Sequence, residues 1–371
     1  MAKLSKKTKW YPDTYKEGEE IDIVNLIEDD IKTRESQAIF DKKHWKWKYK
    51  KNNAGFYPNW IKLAKSKNDD FIGGHYTAIP VLLKANKKIV LSAQSVDTLT
   101  HKTLRRQGVF TKLAGLCYDE LISDNTDIIY GYPNDNSYPG FVKKLKWKHI
   151  FTVYELGYIL DVSKLVNFKF KGGIKNFISK IVLNTIFKSR QLINQISNDK
   201  SFTFDEISIN NIDTLIVDEI ISENHNYYLD RSMDYLKWRY LDNPTDKEIY
   251  VSRITIENKI VGYYIIKYKI YPHRNNIKIA HVMELILNTG IKNIYSSVLK
   301  NIIQISRKKK AAIIYTYSHD KQFDYRQYKR FGFIKLDNKN FIVRVFKNEE
   351  KYEGIFEASK WFISQGDSDR A

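Results

Sequence analysis

Apolar and polar residues alternate in a way that predicts a strand followed by a helix near the middle of the first half. Residues Lys88–Thr100 (KIVLSAQSVDTLT) are rich in β-branched side chains, which predicts a β-strand. Thr111–Leu121 instead carries apolar residues at helical spacing, which predicts an α-helix. The segment His101–Phe110 between them contains Gly108, so a tight loop is predicted to join the strand to the helix.

Four segments of the first half recur in the same order in the second half. The paired segments are His44–Asn53 with Tyr235–Pro244, Ile72–Ile79 with Ile260–Ile266, Asp127–Tyr132 with Ala312–Tyr317, and Lys143–Trp147 with Lys329–Phe333. The first pair aligns Trp47-Lys48-Tyr49 with Trp238-Arg239-Tyr240, a cluster that we expect to pack at a helix end. The repeat predicts two tandem α/β domains at residues 10–160 and 203–347, joined by a linker at 161–202 and followed by an extension at 348–371.

The predicted linker has its own pattern, because apolar residues at helical spacing alternate with lysines between Phe168 and Ser197. Such a basic amphipathic helix could lie on an anionic membrane, but an inter-domain helix with its apolar face on a domain is the favoured interpretation. The N-terminal residues lack the apolar core of a secretory signal, and no stretch approaches the ~20 apolar residues of a membrane span. We therefore expect a soluble, cytoplasmic protein, with a frayed tail at Gly366–Ala371.

Composition narrows the class of protein. Hydrophobic residues make up 43% of the 371 residues, which excludes a disordered chain despite 28% charged residues. A single cysteine, Cys117, excludes a disulfide framework and fits a reducing compartment, and its place in the predicted helix suggests core packing. The formal net charge of +19 favours anionic partners, but lysines account for most of it, which indicates a general surface bias rather than a polyanion-binding face.

Arginine is used sparingly in the first half, which draws attention to Arg105 and Arg106 in the predicted loop. The guanidinium group has a planar fork of donors that matches phosphate oxygens. A strand that leads through a glycine turn into a helix also directs unpaired backbone N–H groups and the positive helix end towards one point. The loop is therefore a candidate anion site, suited to a pyrophosphate, although an ordinary turn with surface arginines has the same pattern.

At these residues the chain resembles the GNAT-type acyl-CoA N-acetyltransferases, and in particular a tandem, two-domain branch of that superfamily. The superfamily motif is Gln or Arg, two residues, Gly, one residue, then Gly or Ala; Arg105 and Gly108 match it and Phe110 departs from it. Asn134 and Ser137 match a further Asn and small residue after the fifth strand. The resemblance implies an α/β (α+β) fold of two GNAT-like domains, each a mixed, mostly antiparallel twisted sheet flanked by helices.

The resemblance also implies a co-substrate, acetyl-CoA, and no metal. Backbone groups at Leu99 and Thr100 would pair with the pantetheine arm, and Asn134 would contact the cofactor. The amides that would surround the pyrophosphate belong to consecutive loop and helix residues: Arg106, Gln107, Gly108, Val109, Phe110 and Thr111, with Arg105 adding charge.

The resemblance implies direct transfer from the thioester to an amine, which requires a base, a donor for the thioester oxygen and an acid. Asp97, late in the predicted strand, is the best candidate base, ahead of His101 and His75. The superfamily's usual acid is a tyrosine seven residues after the Asn, where this chain has Phe141 followed by Val142. Tyr138, one helical turn earlier, is the nearest phenol and the candidate replacement.

The second half does not repeat the loop, because Asn288–Asn293 after the matching strand Ile279–Leu287 has no arginine. We expect that half to bind no CoA and Glu284 to reach the inter-domain cleft. The expected activity is acetyl-CoA-dependent N-acyl transfer to an amine, for which an amino sugar is one guess. Two alternatives stay open: a tandem-GNAT aminoacyl transferase that uses charged tRNA, suggested by the charge, and a non-catalytic anion-binding module.

Overall fold

The computed structural model describes residues 9–33, 41–161, 164, 201–245, 248–271 and 276–368. The predicted linker therefore lies almost wholly outside the described residues. The strands are β1 (Trp10–Thr14), β2 (Ile61–Ser66), β3 (Ile72–Ala85), β4 (Lys88–Thr100), β5 (Ile128–Gly131), β6 (Lys148–Ile159), β7 (Phe202–Glu206), β8 (Tyr227–Leu229), β9 (Ile249–Ile256), β10 (Lys259–Tyr271), β11 (Ile277–Leu287), β12 (Ile313–His319) and β13 (Ile334–Val345).

Helices cover both faces of these strands. The α-helices are α1 (Glu20–Thr33), α2 (Lys42–Trp45), α3 (Val109–Ser123), α4 (Thr214–Ser222), α5 (Met233–Leu236), α6 (Ile294–Lys308) and α7 (Phe323–Arg330). Short π-helical turns follow α2 at Lys46–Lys50 and α5 at Lys237–Leu241, and a third lies at Gly140–Lys144. In the part of the chain that is described, no helix is long and apolar enough to cross a membrane.

The strands form one continuous 13-stranded sheet in the order β1-β2-β3-β4-β5-β13-β6-β12-β11-β10-β9-β7, with β8 paired to β3. The order is symmetric about the contact between β13 and β6. The parallel pair β4–β5 on one side corresponds to the parallel pair β11–β12 on the other. The two halves that the sequence repeat predicts therefore form equivalent sets of strands.

The last strand of each half is inserted into the sheet of the other half. Strand β6 belongs to the first half of the chain but pairs with β12 of the second half. Strand β13 belongs to the second half but pairs with β5 of the first half. Because each half is completed by the other, side chains of β13 reach the neighbourhood of β5 and of the predicted site.

Two tight hairpins set the register of adjacent strands, one in each half of the sheet. Asn86 and Lys87 join β3 to β4, and Glu257 and Asn258 join β9 to β10. All four residues have positive φ, between 49° and 67°, which is the geometry of a two-residue type I′ turn. The first turn fixes the register of β4, the strand that carries the predicted site, against β3.

Helix α3 packs on the sheet through an apolar stripe at helical spacing. Its buried residues include Val109, Leu113, Cys117 and Leu121, which join a core cluster with Trp60 and Trp147. Cys117 is fully buried as core, as predicted, and burial raises the pKa of its thiol. The strand predicted at Lys88–Thr100 is confirmed at its full length, and the predicted helix extends two residues further at each end.

The C-terminal extension is folded, and the predicted fraying of Gly366 and the residues after it is wrong for Gly366–Ser368. Residues 361–368 are all buried, and Phe362–Ile363 belong to the core cluster between the halves. The tail is held because Arg231 donates to Asp367 and to Ser364 from the interior. Sequence composition alone did not indicate these partners.

Candidate functional site

The site begins where β4 and β5 stop pairing. The parallel register runs from Ala93 opposite Ile129 to Ser95 opposite Gly131, where β5 ends. Strand β4 continues to Thr100 and stays paired with β3 on its other edge. The β4 edge beyond Ser95 therefore carries backbone groups that have no strand partner on the β5 side, and an extended ligand can pair with such an edge.

A β-bulge lies at this point of β4. The β3–β4 register shifts between His75 and Thr77, which face Leu99 and Val96, so Asp97 and Thr98 together oppose a single residue of β3. Asp97 has φ of 46°, in the left-handed region. Bulges of this kind redirect side chains and backbone groups beside functional sites.

The divergence of β4 and β5 opens a cleft with an empty volume of about 670 Å³. Its walls come from β4, from β5 and the turn after it, from β13, and from the C-terminal segment. The lining residues are Ser95, Val96, Asp97, Thr98, Gly131, Tyr132, Pro133, Asn134, Ser137, Phe141, Lys339, Ile342 and Ser368. Both halves of the chain therefore contribute to the cleft.

The arginine loop lies at the open end of β4, where α3 begins. Gly108 is the residue before the helix, with φ of 76°, and no side chain caps the first turn of the helix. A Cβ on Gly108 would meet no atom within 4 Å, so the space in front of the helix end is empty. Arg105 and Arg106 are exposed beside it, and Arg105 Nε donates to the carbonyl of Thr100 at 3.0 Å. This is the arrangement expected of an anion site.

Asn134 lines the cleft at the start of the turn after β5. Its Oδ1 accepts from the backbone N–H groups of Asn136 and Ser137, at 3.1 and 3.0 Å. The side chain thus fixes the turn that forms one wall of the cleft. Gln107, by contrast, uses its side chain within the loop, where Nε2 donates to the Thr103 carbonyl at 3.1 Å.

Asp97 lies in the cleft wall, but its carboxylate is already paired. Lys48 Nζ lies 2.7 Å from Oδ2, and the Tyr49 hydroxyl donates to the same oxygen at 2.6 Å. Burial would raise the pKa of Asp97, but Lys48 and Tyr49 outweigh burial and hold the pKa at about 2. A carboxylate with so low a proton affinity is a poor proton acceptor near neutral pH, so the geometry disfavours the predicted role as base.

The other predicted acid and base candidates have structural contacts. Tyr138 lies outside the cleft lining and packs edge-on against His149, because the turn brings Phe141 inward instead. His101 Nδ1 bonds to the Thr103 hydroxyl in the loop. His75 Nδ1 donates to the Asp97 carbonyl at 2.8 Å, which supports the bulge, and burial lowers the pKa of its imidazole.

Tyr132 and Lys339 are among the polar side chains of the cleft that sequence reasoning missed. Tyr132 follows β5, and burial raises its pKa well above the ordinary value, so its hydroxyl keeps its proton. Lys339 comes from β13 of the second half and pairs with Glu155 at 2.8 Å and with the Tyr317 hydroxyl. Tyr132 could have been found from its place after a buried strand, whereas Lys339 could not, because the strand exchange brings it to the cleft.

The second half keeps the tyrosine–carboxylate hydrogen bond of the site, but its own C-terminal segment occupies the space beside the carboxylate. The Tyr240 hydroxyl donates to Glu284 Oε1 at 2.7 Å, as Tyr49 does to Asp97. Glu284 is fully buried on β11, where it meets Arg231, and Gly366 of the C-terminal segment packs directly against it. Burial raises the pKa of Glu284 even though Arg231 works against the shift. The counterpart of Asp97 is therefore covered by the chain's own C-terminal segment.

Comparison with known proteins finds similarity in fold but none in sequence families. No protein-family model matches the chain, and no curated protein sequence matches it. Among solved structures, Saccharomyces cerevisiae N-myristoyltransferase with bound myristoyl-CoA superposes with a TM-score of 0.59 at 12% identity. The match covers 93% of this chain and 82% of the yeast protein.

Two bacterial structures are similar to the same extent. A GCN5-related N-acetyltransferase from Anabaena variabilis has a TM-score of 0.57 at 12% identity, over 91% of this chain and 72% of its own. A probable N-acyltransferase from Enterococcus faecalis has a TM-score of 0.56 at 12% identity, with the same coverage. The chain thus has the fold that the GNAT and N-myristoyltransferase structures share, which confirms the two GNAT-like halves predicted from the sequence.

Proposed function

We propose that the protein is an acyl-CoA-dependent N-acyltransferase that transfers an acetyl group directly from the thioester to an amine. The observation that carries the proposal is the continuity of three features. The bulge at Asp97 and the unpaired edge of β4 lie in the cleft wall, and β4 then leads out of the cleft to the uncapped α3 terminus beside Arg105. An extended arm that ends in a pyrophosphate is complementary to that sequence of features.

The structural neighbours support the donor class. The yeast N-myristoyltransferase holds myristoyl-CoA, and the bacterial neighbours are described as N-acetyltransferase and probable N-acyltransferase. Acetyl as the transferred group rests on the resemblance of the Arg105–Gly108 motif to the acetyltransferases. An amino sugar or another small amine remains the proposed class of acceptor.

The proposed placement of the cofactor follows β4 from the α3 terminus into the cleft. The pyrophosphate would lie at the amides of Arg106, Gly108 and Thr111, and the pantetheine arm would pair with Leu99 and Thr100. Asn134 would contact the arm from the opposite wall. The thioester would then lie near the bulge, where β4 and β5 separate.

The proposed chemistry uses the groups that line this part of the cleft. The amine nitrogen attacks the thioester carbonyl carbon, the C–S bond breaks, and the thiolate takes up a proton. Tyr132 is the protonated phenol in the lining, so we assign it the acid role in place of Tyr138. Asp97 would keep Lys48 and the bulge in position, and the ammonium proton would leave through water at the open side of the cleft.

Calorimetric titration with CoA and with acetyl-CoA tests the proposal. We expect binding by the wild-type protein and no measurable heat for Arg105→Ala combined with Gly108→Trp. The tryptophan would fill the empty space in front of α3, and the alanine would remove the guanidinium group. Arg307→Ala is the matched control, because Arg307 is an exposed arginine on the second half.

Circular dichroism verifies that the double variant folds, because a side chain at the left-handed φ of Gly108 costs about 1–2 kcal/mol. Unchanged CoA affinity in the folded double variant would overturn the assignment. Thiol release from acetyl-CoA with a panel of amines then separates an enzyme from a non-catalytic anion-binding module. Salt-sensitive binding of tRNA without binding of CoA would favour the aminoacyl-transferase alternative.

A further inference from the structure

Phe141 occupies the position at which the acetyltransferase resemblance implies a tyrosine. Its side chain is 4% exposed and lines the cleft, although it has no group that can exchange a proton. The proposed function therefore leaves unexplained why a large, rigid apolar side chain stands beside the thioester position. Its neighbours supply the explanation.

Phe141 belongs to a wall of packed aromatic rings. Its ring meets Phe110 at 5.1 Å and Trp147 at 5.0 Å, both edge-on, and lies 6.3 Å from the ring of Tyr76. The backbone beside it is equally tight, because a Cβ on Gly140 would lie 2.9 Å from the Phe110 ring. Rings packed in this way cannot move aside individually without opening a void.

The wall closes the inner end of the cleft. Gly131 is paired with Ser95 on one side and with Ile342 on the other, so these three residues form the floor where the strands meet. Ile342 is fully buried, and a Cβ built on Gly131 would lie 3.6 Å from Trp147. Ile342, Phe141 and Trp147 belong to one buried core cluster, so the described side chains behind this floor are packed core.

We infer that Phe141 limits the length of the acyl chain that the cleft accepts, so that the donor is a short acyl-CoA. This inference rests on the proposed function, because it concerns the acyl end of the same ligand. The acyl group enters the closed end between Phe141 and Ile342, and each additional methylene must displace a packed side chain. Apolar pockets discriminate one methylene by about 10–200-fold.

The test measures the affinity of the full-length protein for CoA, acetyl-CoA, octanoyl-CoA and myristoyl-CoA by competition, which requires no knowledge of the acceptor. In the wild-type protein, acetyl-CoA should bind at least as tightly as CoA, and the two longer thioesters at least about tenfold more weakly. In Phe141→Ala, the affinity for octanoyl-CoA should rise at least about tenfold relative to the affinity for acetyl-CoA. The affinity for CoA itself should stay unchanged.

Phe346→Ala is the matched control, because Phe346 packs against the same core cluster but lies outside the cleft lining. It should leave the order of acyl-CoA affinities as in the wild type. Phe141→Leu, a smaller change, provides a second variant if the alanine variant does not fold, and should shift the preference in the same direction.

The outcomes separate the two proposals. Absence of binding by CoA itself would overturn the proposed function. Binding of CoA together with equal affinities for acetyl-CoA and myristoyl-CoA in the wild type would overturn the length limit alone. An unaltered chain-length preference in the folded Phe141 variants would show that Phe141 does not set it.

Discussion

Trp47 and Trp238 stack on each other and exchange hydrogen bonds across the contact between the two halves. Their rings lie 5.0 Å apart at an interplanar angle of 15°. Trp47 Nε1 donates to the Trp238 carbonyl at 2.7 Å, and Trp238 Nε1 donates to the Trp47 carbonyl at 3.1 Å. Equivalent residues of the sequence repeat thus meet at the symmetry axis of the fold, and the pair joins the halves in one register.

This pair gives the first prediction, which concerns stability. Trp47→Ala and Trp238→Ala should each lower the free energy of unfolding by about 3–5 kcal/mol, because each removes a buried indole and leaves a carbonyl without its donor. Chemical denaturation of both single variants and of the double variant forms a complete cycle. The two effects should couple by about 0.5–3 kcal/mol, and simple additivity would contradict the reciprocal contact.

The second prediction concerns the buried charges that hold the C-terminal segment. Arg231 lies within 2.6 Å of Asp367 and 3.3 Å of Glu284, and all three side chains are almost fully buried. Arg231→Met should lower the free energy of unfolding by about 3–5 kcal/mol, because two carboxylates lose their counter-charge in the interior.

The half-exposed pair of Arg253 and Asp205 is the control for that prediction. Arg253→Met should change the free energy of unfolding by less than about 1 kcal/mol. Limited proteolysis should also release the C-terminal segment faster in Arg231→Met than in the control. Equal stability of the two variants in urea would show that Arg231 does not hold the segment.

The third prediction concerns acid stability and the carboxylate of Asp97. Its pKa in the folded protein is about 2, below the value of about 3.9 in an unfolded chain. A depressed acid pKa stabilises the fold above the unfolded value, and this stabilisation disappears as the pH falls through the folded value. The wild type should therefore lose roughly 2–3 kcal/mol progressively between about pH 5 and pH 1 through this group.

Asp97→Asn should lack that part of the acid transition in urea titrations at successive pH values. If Asp97 instead acts as the base, the rate of acyl transfer would rise with a pKa near neutrality in the wild type and would lose that dependence in Asp97→Asn. We expect no inflection attributable to Asp97 between pH 5 and pH 9, because its carboxylate is ionised throughout that range.

The fourth prediction separates two phenols. Tyr132 lines the cleft and Tyr138 does not, so Tyr132→Phe should lower kcat roughly a hundredfold with little change in KM. Tyr138→Phe should behave as the wild type, because its ring packs against His149 outside the cleft. Thiol release from acetyl-CoA in the presence of an active amine measures both variants. A larger loss of kcat in Tyr138→Phe than in Tyr132→Phe would support Tyr138, the acid candidate chosen from the sequence.

Much of the fold could be predicted from the sequence because its signals are local. The β-branched run of Lys88–Thr100 and the helical spacing after Gly108 are patterns that one segment carries by itself, and both elements formed there. The repeated Trp47-Lys48-Tyr49 and Trp238-Arg239-Tyr240 clusters revealed two related halves, and both lie in buried π-helical turns. The loop with Arg105 and Gly108 was also placed correctly at a helix N-terminus.

The contacts that determine the chemistry could not be predicted, because they join distant segments. Nothing near Asp97 in the sequence shows that Lys48 and Tyr49 contact its carboxylate, and these contacts are the argument against Asp97 as the base. Tyr138 and Phe141 share one turn, and only packing against Phe110 and Trp147 decides that Phe141 faces the cleft.

The sequence by itself determined the strand at Lys88–Thr100, the helix after Gly108, the loop that joins them and the repeat, since each depends on the spacing of residues within a segment. The tertiary structure decided which strand completes which half, why the tail is buried, and which side chains meet in the cleft. The physical reason is that strand exchange and the burial of charged side chains depend on contacts between segments that are far apart in the sequence. Lys339 reaches the cleft because β13 pairs with β5, and Asp367 is held because the buried Arg231 pairs with its carboxylate.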